Sequence, residues 1–373
     1  MEDLIFSPKV ILDCLGDGIY VCDRERRIVF WNKSAERITG WDSEDVLGRA
    51  CLDDVLSHVD KDDRRLCGEE YCPLHRSMVT GETTKVPIIV YATGKNKNRI
   101  PMQVITAPIR DSKGEIVGGV EMFRDMTTSL VELQRARKIQ SRLLEHKLPD
   151  DPRVRFATLF RPFDIVGGDF YAIRQLGADQ YGFFLADMEG HGMAAAMYSM
   201  QLSILCDRNI GLLDRPAEFA EAVNNDLSNI FGNDVSFAAA VCGAIDANSG
   251  VLQLCWAGGP VALIARAGGN IEKVSGRGMP LGFMEGLTYE IQSYVLEPGD
   301  AMLVFTDGAF EIHNAQNKLL EVDGLADILR DLRYPSHSLD FRVLEEKLLE
   351  YSNDIRLPDD LTIIEIVYAG RSN

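Results

Sequence analysis

No stretch of this chain approaches the roughly 20 consecutive apolar residues that a bilayer-spanning helix needs, so no membrane partner is expected. Positive charge is also scarce. Thirty-nine Lys and Arg face 57 Asp and Glu, for a formal net charge of −18. Bulk electrostatic attraction to nucleic acid or to anionic lipid is thereby excluded. Cysteine numbers only eight in 373 residues, too few for a disulfide scaffold, and a reducing cytoplasm is the expected home. The opening MEDLIFSPKV lacks a basic segment followed by an apolar core, so no secretory signal is expected. There is no long internal repeat and no low-complexity tract.

What is present suits a globular chain of two domains: 46% hydrophobic and 26% charged residues over 373 positions. The front part, 1–125, alternates short strands and helices. Strands are predicted at 18–23, 27–32, 85–93, 100–111 and 116–125, with Asp111-Ser-Lys-Gly114 as a hairpin turn between the last two. Residues 126–148 contain no Gly or Pro, and Leu133, Ala136, Ile139 and Leu143 recur at helical spacing, so an amphipathic helix is predicted. It is long enough to pair with a second copy, although Gln140 interrupts a clean heptad; docking on its own domain is the other reading. From 153 onward, strands are predicted at 153–162, 180–188, 236–246, 251–258, 261–267, 290–297, 301–308 and 361–369. Helices are predicted at 192–209, 215–231, 322–331 and 338–353. Strands joined mostly by turns, with few helices between them, predict packed antiparallel sheets with helices outside.

The aspartates of this second part carry chemistry. Asp169 follows Gly167-Gly168, Asp187 precedes Gly190-His191-Gly192, Asp307 precedes Gly308, and Asp359-Asp360 stands before the apolar 361-LTIIEI. Each sits at the mouth of an apolar strand, with Gly or Pro nearby to permit close backbone approach. Taken singly, an Asp before Gly is an ordinary turn or cap residue. Gathered together, such carboxylates are tolerable only if protonated or neutralised by cations. All-oxygen donors with room for water suit Mg²⁺ or Mn²⁺. Two such ions roughly 3.5–4 Å apart polarise a water and clamp phosphate oxygens, which points to hydrolysis of a phosphate monoester.

The pieces VGGDFY at 166–171, ADMEGHGMAAAM at 186–197, MPLG at 279–282, FTDGAFE at 305–311 and PDDLTIIEI at 358–366 occur in one order over the second part. In them the chain resembles the PPM family of metal-dependent Ser/Thr protein phosphatases. The likeness is to its bacterial branch, which includes the sporulation phosphatase and phosphatases that control sigma factors. The resemblance implies two Mn²⁺ or Mg²⁺ ions between two packed sheets. Asp169 and Asp187 would be shared or ligating acids, the Met188 backbone carbonyl a further ligand, and Asp307 and Asp359 would complete the set, with Asp360 as the alternative to Asp359. His191 would either protonate the leaving alkoxide or shape its loop. The pattern departs at Ala172, where the family often has an acid, and at Ala257-Gly258-Gly259, where it often has Ala-Gly-His.

In 17-DGIYVCDRERRIVFWNKSAERITGW-41, Leu47-Gly48 and 114-GEIVGGVEMFRDMT-127, the front part resembles a PAS sensor domain, with Asn32 expected as a helix N-cap. Cys51, Cys67, Cys72 and His75, spaced Cys-x15-Cys-x4-Cys-x2-His, are candidate ligands of zinc or an iron–sulfur cluster. Alternatively the thiols are buried, and Cys72-Pro-Leu-His opens a helix. The chain is therefore expected to be α+β: a PAS fold over 1–125, a linker helix over 126–150, and an α-β-β-α sandwich of two packed antiparallel sheets over 151–373. The function so implied is a sensor-regulated, metal-dependent phosphatase acting on phosphoserine or phosphothreonine of a small regulatory protein, such as an anti-sigma-factor antagonist. A homodimer through the PAS domain and linker helix is also expected. The competing expectations are a PAS-phosphatase scaffold without activity and a cyclic-nucleotide synthase. The second is suggested by Gly-Gly-Asp-Phe at 167–170, but Phe170 stands where that family needs a second acid.

Overall fold

The computed structural model describes residues 7–370 except 52, 54, 69–70, 87, 146, 191, 233–235 and 355–356. The chain divides into two compact units, Met1–Gln134 and Arg135–Asn373.

The first unit has the PAS fold. In chain order it contains α1 (Pro8–Cys14), β1 (Gly18–Asp23), β2 (Ile28–Trp31), α2 (Lys33–Thr39), α3 (Ser43–Val46), α4 (Pro73–Thr80), β3 (Thr84–Lys85), β4 (Val90–Thr93), β5 (Arg99–Arg110) and β6 (Ile116–Asp125). These strands make a six-stranded antiparallel sheet in the order β2-β1-β6-β5-β3, with β4 also on β5. The single strand expected at 85–93 is two short ones, both paired to β5. The sequence between them carries a proline, which has no N–H to give a ladder. The β5–β6 hairpin turns where expected. Asp111 Oδ1 accepts from the N–H groups of Lys113 and Glu115, and Gly114 takes the left-handed φ of 86° that closes the turn. Asn32 caps α2 by accepting from the Ala35 N–H. The same oxygen accepts from the Ile19 N–H on β1, and the amide donates to the Leu12 and Asp17 carbonyls. One buried side chain thus ties helix start, strand start and N-terminal segment together.

The boundary between the units falls within one helix, α5 (Thr127–Leu144). Leu133, Ala136 and Leu143 of the predicted stripe are half-buried, but one position departs from it. Ile139 is exposed, whereas Gln140 and Leu144 are buried. The side facing the second unit therefore runs through the glutamine.

The second unit continues with β7 (Val154–Arg161), β8 (Phe170–Gln175), β9 (Gln180–Met188), α6 (Met193–Arg208), α7 (Pro216–Phe231), β10 (Ala238–Asp246), β11 (Val251–Ala257), β12 (Ala262–Ala265), β13 (Ile271–Val274), β14 (Ile291–Val295), β15 (Ala301–Phe305), α8 (Glu321–Asp331), α9 (Phe341–Ser352) and β16 (Leu361–Tyr368). Two five-stranded antiparallel sheets result, β14-β11-β10-β9-β8 and β13-β12-β15-β16-β7. Alternation along each strand sorts side chains into three apolar layers. Phe183, Leu185, Val241, Leu254 and Trp256 of one sheet meet Ile264, Met302, Val304, Ile364 and Ile366 of the other. Phe170, Phe184, Ala186 and Cys242 turn outward onto Leu202, Phe219, Val223 and Leu227 of α6 and α7. Leu303, Phe305, Leu361 and Ile363 turn outward onto Leu325, Leu329, Leu344 and Leu348 of α8 and α9. The order is helices, sheet, sheet, helices, the layered sandwich expected.

The core of the first unit contains an unusual polar group. Glu121 of β6 is 1% exposed, accepts from the Tyr20 hydroxyl at 3.2 Å, and has its other oxygen 3.5 Å from His58 Nε2. Among the described residues, neither that oxygen nor His58 Nε2 has a hydrogen-bond partner. Burial pushes the Glu121 carboxyl up to about 8, with the Tyr20 bond opposing, and burial pushes His58 down to about 4. The thiols of Cys22, Cys51, Cys67 and Cys72 around this group are held neutral by burial. A carboxyl whose proton affinity rises on folding contributes stability that is complete below its unfolded value, near 4.5, and is lost as pH climbs through 8. His58 acts oppositely, and its contribution is lost as pH falls from 6.5 toward 4. Glu121→Gln keeps the acceptor for Tyr20 and offers an amide to His58 without a titrating group. Thermal melts of the intact chain from pH 5 to 8.5 are expected to show the first transition of the wild type falling by roughly 5–10 °C more than that of the variant. Parallel curves would mean that Glu121 is already ionised in the folded state.

Candidate active site

Strand parity explains how apolar strands bring acids together. Phe183 and Leu185 face the space between the sheets, so Asp187, two residues on, faces it as well. β8 pairs antiparallel with β9, Phe170 opposite Ala186. Asp169 therefore lies level with Asp187, at the start of one strand and the end of its neighbour. Asp169 stands immediately before β8, and Asp187 is the last residue but one of β9. In the facing sheet, Phe305 of β15 stands opposite Ile363 of β16. Met302 and Val304 point inward, so Thr306 does; Ile364 and Ile366 point inward, so Thr362 and Asp360 do. All these groups are the polar end of the inter-sheet core.

Asp169 is 1% exposed. Its Oδ2 accepts from the Thr306 hydroxyl at 2.9 Å and from the Thr362 hydroxyl. Those threonines are themselves joined, with Thr306 N–H donating to the Thr362 carbonyl and Thr362 N–H to Thr306 Oγ1, both at 3.0 Å. A carboxylate rooted in one sheet is thus fixed by two hydroxyls rooted in the other. Neither threonine stood out in the sequence, although each sits in a quoted motif. Their signal was the same period of two that places Asp360.

Asp359 and Asp360 divide their work. Asp360 is 4% exposed; its Oδ1 accepts from the Phe163 N–H at 2.6 Å and its Oδ2 from the N–H groups of Gly168 and Asp169 at 2.5 and 3.4 Å. It braces the loop leading to Asp169. Asp359 is exposed, and its Oδ1 accepts from the Asp360 N–H. Two glycines are required by this packing. A Cβ on Gly167 would lie 2.6 Å from Asp360 Oδ2, and one on Gly308 would lie 2.0 Å from the Asp360 carbonyl oxygen.

The carboxylates feel one another. Burial, then the charges of Asp187 and Asp360, hold the Asp169 carboxyl well above its usual range. Burial, then Asp307 and Asp359, push Asp187 up to about 8. Burial, then Asp359 and Glu311, push Asp307 up to about 6. The second oxygen of Asp169 and one of Asp307 are buried with no hydrogen-bond donor among the described residues. Among the described residues, no three His, Cys, Asp or Glu side chains stand together at metal-ligating spacing. Converging all-oxygen donors, two of them lacking a donor among the described residues, fit a hard divalent cation, whose charge would offset the mutual repulsion and the cost of burying these acids ionised. Met188 is buried, and its carbonyl oxygen borders the same loop, 3.3 Å from where a Cβ on Gly168 would lie.

Two other expectations resolve differently. His191 lies outside the described residues. Cys51, Cys67, Cys72 and His75 do not stand together as a ligand set. Cys51 and Cys72 are buried, and Cys67 accepts from the His58 N–H at 3.1 Å. Cys72 is the N-cap position of α4, with Pro73 opening the helix. Neutral, packed thiols give no support to zinc or an iron–sulfur cluster.

Comparison with known proteins follows this division. The family model described as Stage II sporulation protein E (SpoIIE) matches residues 177–368, and the PAS fold model matches residues 12–131. The first match takes in Asp187, Asp307 and Asp359, while Asp169 lies on its N-terminal side. Protein IcfG of Synechocystis is 24% identical over 264 residues, covering 63% of this chain and 41% of that protein. Phosphoserine phosphatase RsbP of Bacillus subtilis is 27% identical over 183 residues, covering 48% of this chain and 45% of that protein. The chain thus spans less than half the length of either relative. The solved SiaA-PP2C domain of Pseudomonas aeruginosa superposes with a TM-score of 0.55 at 25% identity, over 65% of this chain and 98% of that one. The RsbU and RsbW domains of a Mycobacterium tuberculosis protein superpose with a TM-score of 0.51 at 26% identity, over 61% and 63%.

The unequal roles of Asp359 and Asp360 are measurable without any substrate. Asp360→Ala orphans buried N–H groups at a cost of about 3 kcal/mol, so the second unit is expected to melt about 6–12 °C lower. Asp359→Ala, at an exposed position, is expected to stay within about 2 °C of the wild type. Equal shifts in the two variants would refute the bracing role.

Proposed function

This chain belongs to the Stage II sporulation protein E (SpoIIE) family, and from that membership and its acid cluster we propose that it is a metal-dependent phosphoprotein phosphatase governed by its PAS unit. The observation that carries the reading is the convergence of Asp169, Asp187 and Asp307 at one end of the inter-sheet core, each with its proton affinity raised by burial and by the other acids. Asp169, Asp187, Asp307, Asp359 and the Met188 carbonyl would hold two Mg²⁺ or Mn²⁺ ions. When bound, such ions neutralise phosphate oxygens and acidify a water for attack on a phosphate monoester.

The chain's own groups prepare that chemistry. The Thr306 and Thr362 hydroxyls occupy one oxygen of Asp169 and leave the other turned to the site. Asp360 has both oxygens on backbone N–H groups, so it supports the loop rather than the ions. Asp359 is exposed at the rim, where a phosphorylated side chain of another protein can reach. The proposed substrate is phosphoserine or phosphothreonine on a small regulatory protein, with an anti-sigma-factor antagonist as the specific candidate. The printed name of the Bacillus subtilis relative, a phosphoserine phosphatase, supports that class. His191 is proposed to assist either by protonating the leaving alkoxide or by shaping its glycine-flanked loop. A homodimer through the PAS unit and α5 belongs to the same proposal, since Val131 and Ile139 of that helix are exposed.

The test uses the whole chain, a phosphoserine peptide and Mn²⁺. Phosphate release is expected, is expected to stop on addition of chelator, and is expected to fall at least 100-fold in Asp187→Asn. A folded wild type that releases phosphate from no phosphopeptide or phosphoprotein in Mn²⁺ or Mg²⁺ would leave the non-catalytic scaffold as the better account.

A further inference from the structure

One pair of reactive side chains in the second unit has no part in the acid site. Cys242 of β10 stands directly opposite Cys255 of β11, on antiparallel strands. Both side chains are buried, at 3% and 0% exposure, in the layer beneath α6 and α7. Cys206 of α6 lies in the same layer. Two constraints keep Cys242 and Cys255 face to face. Asp246 Oδ1 accepts from the N–H groups of Asn248 and Ser249, and Gly250 takes a φ of 70°, so the turn joining the strands is fixed. Leu254 and Trp256, on either side of Cys255, face the opposite sheet, and a slip of one residue would turn both away from it. Directly opposite residues of antiparallel strands have Cα atoms about 4.5 or 5.5 Å apart, and a disulfide bridges roughly 4.4–6.8 Å. The strands need no rearrangement to be joined at this place. Burial, then contact with Cys255, holds the Cys242 thiol well above its ordinary range. Its Sγ also donates to the carbonyl of Pro216, the first residue of α7, at 3.3 Å.

We propose that Cys242 and Cys255 form an oxidisable dithiol, a modification site at which a peroxide joins β10 to β11 through a disulfide. The inference is independent of the phosphatase reading. One sulfur, as thiolate, attacks the peroxide O–O bond; it becomes a sulfenic acid, and the second oxygen leaves as water. The other sulfur then attacks the sulfenic sulfur, the S–S bond forms, and the hydroxyl leaves with a proton as a second water. Two thiols thereby lose two hydrogens and two electrons, and one hydrogen peroxide becomes two waters. Burial slows the first step, since thiolate is scarce and peroxide enters only when the helical layer opens. The second step is fast because the partner sulfur is already in place. Sulfenic acid therefore does not accumulate while both cysteines are present. The bond removes the proton that Cys242 gives to the Pro216 carbonyl. It also ties down the strand whose Ala239 lies opposite Asp187, without altering any of the acids.

The test treats the full-length reduced protein with hydrogen peroxide, alkylates the remaining thiols in denaturant, and digests without reductant. Trypsin leaves Cys242 and Cys255 together in one peptide, 209–266, and Cys206 in another. The folded wild type is expected to give 209–266 unalkylated and two hydrogens lighter in most chains, with Cys206 alkylated. In Cys255→Ala, the partnerless Cys242 is expected to give at least ten-fold more sulfenic acid trapped by dimedone than in the wild type. Recovery of both thiols alkylated, under peroxide that fully oxidises the exposed Cys14, overturns the proposal. A bond from either thiol to Cys206, or one that forms only after the chain is unfolded in urea, overturns it as well. The wild-type digest decides between these outcomes even where Cys255→Ala does not fold.

Discussion

Asp169 belongs to one sheet, and the hydroxyls that hold it belong to the other. That cross-sheet contact closes one end of a sandwich whose interior is otherwise packed with Phe183, Leu185, Trp256, Val304, Ile364 and their neighbours. A buried carboxylate with one oxygen satisfied and one bare is a costly thing to place beside two more acids. It is sustained because the strands bearing the acids are anchored by outward-facing residues on α6, α7, α8 and α9. The apolar layers supply the stability, and the acid end uses it. This distribution of cost is what a site built to receive cations requires.

The same opposition between burial and charge recurs in the first unit with a different result. Glu121 and His58 are buried as a close pair, and each is pushed toward its neutral form. No charge is left to be compensated, so the PAS core tolerates the pair without a counter-ion. In the second unit, several acids share one region, and burial together with their mutual repulsion pushes each toward its neutral form, so only a bound cation would favour their joint ionisation. Clustering, more than burial alone, separates a tolerated polar core from a candidate metal centre.

The linker helix shows where periodicity misleads. Leu133, Ala136, Ile139 and Leu143 form the more apolar stripe, and a reading by hydropathy turns it inward. The structure half-buries Leu133, Ala136 and Leu143 as that reading expects, but buries Gln140 and leaves Ile139 in solvent. An amide that can satisfy both backbone groups of Gly167 is worth more at that place than another aliphatic contact. Nothing local to 127–144 announces this, because the partner lies far along the chain at 167 and is brought near only by folding.

Much of the architecture was legible in the amino acids themselves. Strand and helix positions in the second unit, the hairpin at 111–114 and the cap at Asn32 follow from alternation, helical spacing and turn chemistry, all of which act over a few neighbouring residues. The acids were marked by motifs in the order of the family the chain resembles, and their roles as ligands belong to the proposal. Two strands, Phe170–Gln175 and Ile271–Val274, were not marked by those signals. The tertiary structure decided which groups meet. It set Asp360 inward as a brace and Asp359 outward at the rim, paired Thr306 with Thr362 over Asp169, packed the PAS cysteines as neutral thiols, and seated Gln140 on Gly167. These outcomes depend on register between strands and on contacts across the two sheets. Distance along the chain carries no record of either, since both are chosen only when the apolar layers pack.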